Sequence, residues 1–244
     1  KRIEIADLDL DDKPEVVLSS QGNNSVTVLV NQSSLGSISF SPIAPISIVI
    51  PGAASTEGLA VEDLNGDKRP EIVTSQFQTN SDIYIISNAS SPGSFSAGAI
   101  RTIAVGVPIK NIRVGDLDGD RKPDIAYTKL TSSEVGLLLN QSTPTALNFS
   151  AGPSVATDVT PWGIDFGDLD GDGKVDIVVA SITKKSITVL NNKSTTGNLS
   201  FDRFVQPTTY INRHLNVCDV DTDGKPDIVF TSIDVNNLYV VASK

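Results

Sequence analysis

Three features of the sequence predict an all-β fold assembled from blade-sized repeats: an Asp-rich segment that recurs five times, a near-constant spacing between its copies, and short β-branched runs on either side of each copy. The copies are DLDLDDKPEVV from Asp7, DLNGDKRPEIV from Asp63, DLDGDRKPDIA from Asp116, DLDGDGKVDIVV from Asp168 and DVDTDGKPDIVF from Asp219. Their starts lie 56, 53, 52 and 51 residues apart. That period is too long for an ankyrin or leucine-rich repeat and suits one four-stranded sheet, the blade of a β-propeller.

Each repeat begins with a strand A that leads into the Asp loop. Ile3, Leu59, Ile112, Ile164 and Leu215 stand four residues before the first Asp, and Ile5, Val61, Val114, Phe166 and Val217 two before it. This alternation has the period of a half-buried strand. After the loop come EVVLSS, EIVTSQ, DIAYTK, DIVVAS and DIVFTS, β-branched and nearly continuous, as a strand B covered on both faces requires. Strand C follows as VTVLVN, IYIISN, VGLLLN, ITVLNN and LYVVAS, and strand D begins near Phe40, Phe95, Phe149 or Phe201 after a turn rich in Ser, Thr, Gly and Pro. No stretch has helical periodicity. The blades are expected at 1–56, 57–109, 110–161, 162–212 and 213–244, the last without its outer strand, in a single propeller domain or propeller segment.

The chain has 244 residues, 39% of them hydrophobic, enough for a sizeable core. No window approaches the roughly 18 apolar residues of a membrane helix, so membrane insertion is not expected of this segment. The opening KRIEIADLD reads as a strand and the chain contains no Met, so a processed or trimmed piece of a longer product with further domains is expected. One cysteine, Cys218, allows neither an intrachain disulfide nor a Cys-based zinc site. The net charge of -10 and the pI near 4.5 argue against nucleic acid and make cations the natural partner.

The loops carry the chemistry. Side-chain oxygens fall at loop positions 1, 3, 5 and 9: Asp7, Asp9, Asp11 and Glu15; Asp63, Asn65, Asp67 and Glu71; Asp116, Asp118, Asp120 and Asp124; Asp168, Asp170, Asp172 and Asp176; Asp219, Asp221, Asp223 and Asp227. At position 7 the backbone carbonyls of Lys13, Arg69, Lys122, Lys174 and Lys225 offer another ligand. Hard cations such as Ca²⁺ take about six to eight oxygens, and the absence of His and Cys from the loops disfavours softer metals. An EF-hand would close with Glu at position 12, where this chain has Leu18, Thr74, Tyr127, Val179 and Phe230. Here the closing acid is at position 9, at the start of strand B, so a metal would clamp the A–B hairpin. A single such loop reads as a polar turn; five in register point to about five Ca²⁺ sites. Position 6 calls for positive φ, which Gly173 and Gly224 adopt freely and Asp12, Lys68 and Arg121 do not. The strongest binding is therefore expected at the Asp168 and Asp219 loops, and the weakest at Asp63, where Asn65 removes a charge.

These motifs resemble the FG-GAP or VCBS-type repeat of integrin α-subunit propellers and their bacterial relatives, and the resemblance covers nearly the whole chain. It implies a propeller, usually of seven blades, with Ca²⁺ in the hairpin between strands A and B; five copies imply a piece of such a ring or a smaller one. Linkers such as NQSSLGSISF and NNKSTTGNLSF resemble repeats of large secreted or surface proteins of bacteria.

The expected function is a non-catalytic, secreted or cell-surface binding or adhesion module with structural calcium and a protein or glycan ligand. Binding residues are expected on the B–C and D–A loops, around Thr79 to Asp82, Lys129 to Glu134 and Thr160 to Trp162. The alternatives are a lectin-like propeller or an accessory domain of a secreted polysaccharide-degrading enzyme. Trp162 is the only Trp, in a column with Lys1, Glu57, Lys110 and Arg213, which weakens the lectin. His214, the only His, reads as a variable strand-end residue, Cys218 as a packed thiol, and Asp165 and Glu4, in one column with Arg113, as solvated or ion-paired channel lining rather than a paired acid site. Seven Asn-x-Ser/Thr matches, among them Asn88 and Asn192, carry no weight in a Ser/Asn-rich chain.

Overall fold

The computed structural model describes residues 2–20, 22–41, 46–53, 55–78, 81–235 and 237–242, and every regular element among them is a β-strand. The first sheet contains β1 (Arg2–Ala6), β2 (Glu15–Ser19), β3 (Ser25–Leu29) and β4 (Ile46–Val49); the second, β5 (Leu59–Glu62), β6 (Glu71–Ser75), β7 (Asp82–Asn88) and β8 (Ala97–Ala104). The third comprises β9 (Ile109–Gly115), β10 (Asp124–Lys129), β11 (Glu134–Asn140) and β12 (Phe149–Ala156); the fourth, β13 (Pro161–Gly167), β14 (Asp176–Ser181), β15 (Ser186–Asn192) and β16 (Phe201–Pro207). The fifth has three strands, β17 (Asn212–Cys218), β18 (Asp227–Ser232) and β19 (Leu238–Val241). Consecutive strands are neighbours in every sheet. These are the meander blades of a β-propeller, and each Asp loop joins the first strand of its sheet to the second.

The strand starts differ in detail from the expected positions. β9, β13 and β17 each begin one residue before the expected blade boundary, at Ile109, Pro161 and Asn212. β12 and β16 start on Phe149 and Phe201, but β8 starts two residues after Phe95, and Phe40 makes only an isolated bridge with Asn31. The outer strand of the first sheet is described from Ile46; residues 42–45 lie outside the described residues.

The chain divides into two compact units, Lys1–Ile112 with Ser142–Leu147, and Arg113–Gln141 with Asn148–Lys244. In the first, Leu8, Val17, Val26 and Val28 of the first sheet pack against Leu59, Ile72, Tyr84 and Ile86 of the second. In the second unit, Leu117, Ala126, Val135 and Leu137 of the third sheet meet Ile164, Ile177, Val179 and Leu190 of the fourth. The opposite face of the fourth, with Val178, Ala180 and Ile187, meets Leu215, Ile228 and Phe230 of the fifth. Period-two alternation thus gives the fourth sheet two apolar faces, one for the third sheet and one for the fifth.

The middle strands β6 and β14 are buried at every residue, as a strand covered on both faces must be. The expectation that strand A is half buried in every repeat fails in the first sheet, where Ile3 and Ile5 are 62% and 64% exposed. Their side chains belong to the leading face, and among the described residues no sheet lies over it.

Neighbouring first strands approach closely in the second unit. A Cβ built on Gly163 in β13 would lie 2.8 Å from the carbonyl oxygen of Arg213 in β17, so glycine is required there by space. Gly163→Ala should force the two strands apart and destabilise the protein by about 1–3 kcal/mol, read from the midpoint of denaturant unfolding; an unchanged midpoint would show that the strands separate freely.

Candidate metal centres

All five Asp loops adopt one backbone conformation. Position 6 has positive φ in each, at Asp12 (66°), Lys68 (68°), Arg121 (70°), Gly173 (83°) and Gly224 (85°). Position 4 has it too, at Leu10 (61°), Gly66 (80°), Gly119 (81°), Gly171 (74°) and Thr222 (66°), a second requirement that the position-6 pattern alone does not reveal. Only the Asp168 loop has glycine at both places. The conformation is imposed by the first carboxylate: its Oδ2 accepts the N–H of residue 6 in every loop, from Asp12 (3.0 Å), Lys68 (2.8 Å), Arg121 (2.8 Å), Gly173 (2.9 Å) and Gly224 (2.9 Å). The carboxylate at position 5 accepts the N–H of position 7, at 2.8 to 3.0 Å in all five loops. Local Asp-to-backbone hydrogen bonds therefore wrap the loop, even where the residue held at positive φ is not glycine.

This wrapping gathers the carboxylates of positions 1, 3 and 9. Ligand oxygens of Asp7, Asp9 and Glu15, of Asp116, Asp118 and Asp124, of Asp168, Asp170 and Asp176, and of Asp219, Asp221 and Asp227 lie within 4.8 Å of one another in each set. Four acidic clusters able to hold a metal ion result. The Asp63 loop forms no such three-acid set among the described residues because Asn65 stands at position 3, and its Nδ2 donates to Glu71 Oε1 at 3.4 Å. The position-5 acids Asp11, Asp120, Asp172 and Asp223 are not among the gathered atoms.

The closing acid also joins strands. Glu15 accepts the N–H groups of Leu8 (2.7 Å) and Asn31 (3.2 Å), Asp124 those of Leu117 (3.0 Å) and Asn140 (2.8 Å), and Asp176 those of Leu169 (2.9 Å) and Asn192 (2.7 Å). The partner at the end of the third strand is Asn in four repeats, and its side chain works as well. Asn88 Nδ2 donates to the carbonyls of Pro70 (3.1 Å) and Leu8 (2.9 Å), and Asn192 Nδ2 to those of Val175 (2.8 Å) and Leu117 (2.9 Å). Each amide thus ties its own loop to the loop of the preceding sheet. This column is present in the sequence as an Asn 16 or 17 residues after the closing acid, where an amide following an apolar run reads as a turn residue. It also removes Asn88 and Asn192 as glycosylation candidates, since both amides are buried and committed.

Cover comes from the following sheet. The turn between β7 and β8 places Gly93 N–H on the carbonyl of Asp9 at 2.8 Å, and the turn between β15 and β16 places Gly197 N–H on Asp118 Oδ2 at 2.6 Å. Asp9 and Asp118 are accordingly buried, while Asp170 and Asp221 are exposed. Asp9 is 1% exposed and its Oδ1 is buried without a hydrogen-bond partner.

Burial dominates the electrostatics. It pushes the carboxyls of Glu71 and Asp124 up to about 7, and those of Glu15, Asp176 and Asp9 upward as well, with neighbouring loop carboxylates adding to the rise. Asp11 moves the other way because Lys13 hydrogen-bonds to it, and Asp172 because the Lys174 N–H and then Lys193 do. Glu15, Asp124 and Asp176, and Asp9 with them, therefore take a proton, or another positive charge, more readily than a free carboxylate does.

Elsewhere, Lys129 and Glu134 pair at 3.6 Å across the β10–β11 hairpin. Thr160 Oγ1 meets Thr183 Oγ1 at 3.0 Å, and Arg213 lies over the Trp162 ring at 5.1 Å. Of the Thr79 to Asp82 segment, residues 79–80 lie outside the described residues, as does Lys1. Arg113 and Asp165 form the expected ion pair at 2.8 Å, and Glu57 pairs with Lys110. His214 is exposed on β17. Cys218 is exposed too, which corrects the packed thiol: alternation along β17 places it opposite Leu215 and Val217, away from the core.

Four overlapping stretches, residues 7–74, 63–127, 116–179 and 168–230, match the family described as FG-GAP-like repeat. No curated protein sequence matches the chain significantly. Among solved structures, the chain is similar to a catalytically inactive variant of virginiamycin B lyase from Staphylococcus aureus with quinupristin. The TM-score is 0.58 at 16% identity, over 100% of this chain and 68% of that one. It is also similar to BBS1N in complex with ARL6DN, with a TM-score of 0.56 at 11% identity over 99% and 77% of the two chains. At such identities the likeness is one of fold.

Because Glu71 and Asp124 keep their protons in the fold to about pH 7 but lose them near 4 in the unfolded chain, the native state binds more protons between those values. The metal-free protein should therefore lose stability as pH rises from roughly 4.5 to 7 and level off above. Denaturant midpoints in chelator across this range check it; a steady rise with pH would refute the assignment.

Proposed function

The chain belongs to the FG-GAP-like repeat family, and from that premise we propose that it is a non-catalytic binding module, secreted or displayed at the cell surface, whose Asp loops hold Ca²⁺. The buried, partnerless Oδ1 of Asp9 inside a cluster with Asp7 and Glu15 carries the metal reading. A carboxylate oxygen removed from water without a donor is costly, and a cation is the partner that fits it. The donor set is all oxygen, which suits a hard ion such as Ca²⁺.

Asp7, Asp9 and Glu15 and their counterparts in the Asp116, Asp168 and Asp219 loops would hold the ion. The position-5 acids and the carbonyls of Lys13, Arg69, Lys122, Lys174 and Lys225 are on hand to complete its shell. Bound Ca²⁺ supplies positive charge and rigidity. The carboxylates themselves fix the hairpin between the first two strands of each sheet, so ion and hydrogen bonds act on the same loop. The ranking follows from backbone and charge together: the Asp168 loop, with Gly171 and Gly173, should bind most tightly, and the Asp63 loop, with Lys68 and with Asn65 in place of a carboxylate, least.

The binding role rests on the contrast between uniform loops on one side of the sheets and unlike connections elsewhere. The ligand is a protein or glycan, met through the β10–β11 hairpin around Lys129 and Glu134 and the segment around Thr160. Arg213 over the Trp162 ring counts against that ring as a sugar platform.

Excess Ca²⁺ should raise the melting temperature over chelator with Mg²⁺, since each independent site adds about 2.7 kcal/mol at 100 times its Kd. Asp168→Asn should remove more of that rise than Asp63→Asn. An identical melt in calcium and chelator would reduce the loops to polar turns.

A further inference from the structure

In the second and fourth sheets the turn before the outer strand closes over the preceding Asp loop through a glycine, Gly93 or Gly197, held at a φ of 74° or 77°. The turn between β11 and β12 has Thr143 and Ala146 bridged as Ser91 and Ser94 are, and as Thr195 and Asn198 are, so Thr145 stands in the glycine's place. It does not take up positive φ, which a β-branched residue resists, and among the described residues its N–H reaches no atom of the Asp63 loop. The loop beneath it is the one with Asn65 in place of an Asp. Between turn and loop lies a cavity of about 590 Å³ walled by Asp67 and Glu71 of the loop, Ile100 and Arg101 of β8, and Pro144 and Leu147 of the turn. All six residues belong to the first compact unit.

Opposite charges line this cavity without meeting. Arg101 Nη1 donates to the carbonyl of Leu147 at 2.7 Å, which holds the guanidinium against the turn. On the loop side, Asp67 Oδ1 accepts the Arg69 N–H at 2.9 Å and Glu71 Oε2 the Leu64 N–H at 2.9 Å. Among the described residues no ion pair joins Arg101 to either acid. A guanidinium and a carboxylate free to close on one another gain from doing so; here backbone partners hold them apart, with room for a small molecule between them. The remaining wall, Ile100, Pro144 and Leu147, is aliphatic.

We propose that this cavity binds a small zwitterion, an α-amino acid with an aliphatic side chain. The ammonium group lies against Asp67 and Glu71, the carboxylate against Arg101, and the side chain on Ile100, Pro144 and Leu147. The planar guanidinium keeps N–H groups beyond the one given to Leu147, in the fork geometry that suits a carboxylate, and the two acids are acceptors for an ammonium. A dipolar ligand answers both walls at once, whereas a bare cation satisfies the loop and leaves the guanidinium facing a like charge. None of this depends on any Asp loop holding metal.

The test titrates the whole chain calorimetrically with L-leucine, once in calcium and once in chelator. Saturable binding of one equivalent is expected in at least one of the two conditions. N-acetyl-L-leucine, which lacks the ammonium, and L-leucinamide, which lacks the carboxylate, should each bind at least about tenfold more weakly. Arg101→Gln, at an exposed position whose fold is checked by its melt, should weaken L-leucine by a similar factor and leave the weaker binding of L-leucinamide unchanged. No saturable binding in either condition, equal binding of the two capped compounds and L-leucine, or an unchanged affinity for L-leucine after Arg101→Gln would each overturn the proposal.

Discussion

The closing carboxylate of each Asp loop is the point at which the strands of a sheet are joined. Glu15, Asp124 and Asp176 each accept one N–H from the loop after the first strand and one from the end of the third, while standing at the first residue of the second. Three strands thus converge on one side chain that is itself out of water. A buried carboxylate is tolerated only when its lone pairs are engaged, and two backbone donors engage half of them. The remainder face the acids of positions 1 and 3. The same residue that organises the sheet consequently concentrates carboxylates at one point, so the order of the sheet and a cluster able to hold a cation are two results of one placement.

The loops show how hydrogen bonding can replace glycine. Leu10, Asp12, Lys68, Arg121 and Thr222 are held at positive φ, a region that costs an L-residue roughly 1–2 kcal/mol. What holds them is the Asp at position 1, whose two oxygens collect the amide groups that the turn exposes. Thr222, β-branched, is the least comfortable of these. Sequence divergence at positions 4 and 6 is therefore compatible with an invariant backbone, and the loops differ in rigidity and charge while sharing one shape.

Much of this was legible in the residues. The all-β class, the sheet count and the three-stranded fifth sheet follow from period-two patterning and from a repeat of about 50 residues, because each Asp loop marks a hairpin unambiguously. Of the loop oxygens expected at positions 1, 3, 5 and 9, those of 1, 3 and 9 gather in four loops, and the position-5 carboxylate instead turns back onto the N–H of position 7, a local bond that spacing does not reveal. The Asn column at the end of the third strand was present in the sequence but hidden, since an amide after an apolar run looks like a turn residue until its two carbonyl partners are seen. Strand beginnings keyed to Phe were right where the aromatic opens the ladder, at Phe149 and Phe201, and displaced at Phe95, where the aromatic packs before pairing starts. The exposure of Ile3, Ile5 and Cys218 could not be read from alternation, which assigns a residue to a face but does not say whether that face has a neighbour.

The turns that cover the loops bind one repeat to the state of the next. Gly93 reaches the backbone of Asp9, and Gly197 the carboxylate of Asp118, so the turn of a later sheet rests on the Asp loop of an earlier one. Order in a loop is felt by its successor, as in a one-dimensional chain with nearest-neighbour coupling. Loss of one loop's structure then frays the adjoining hairpin before it reaches more distant repeats, so each linked pair of sheets yields as a unit.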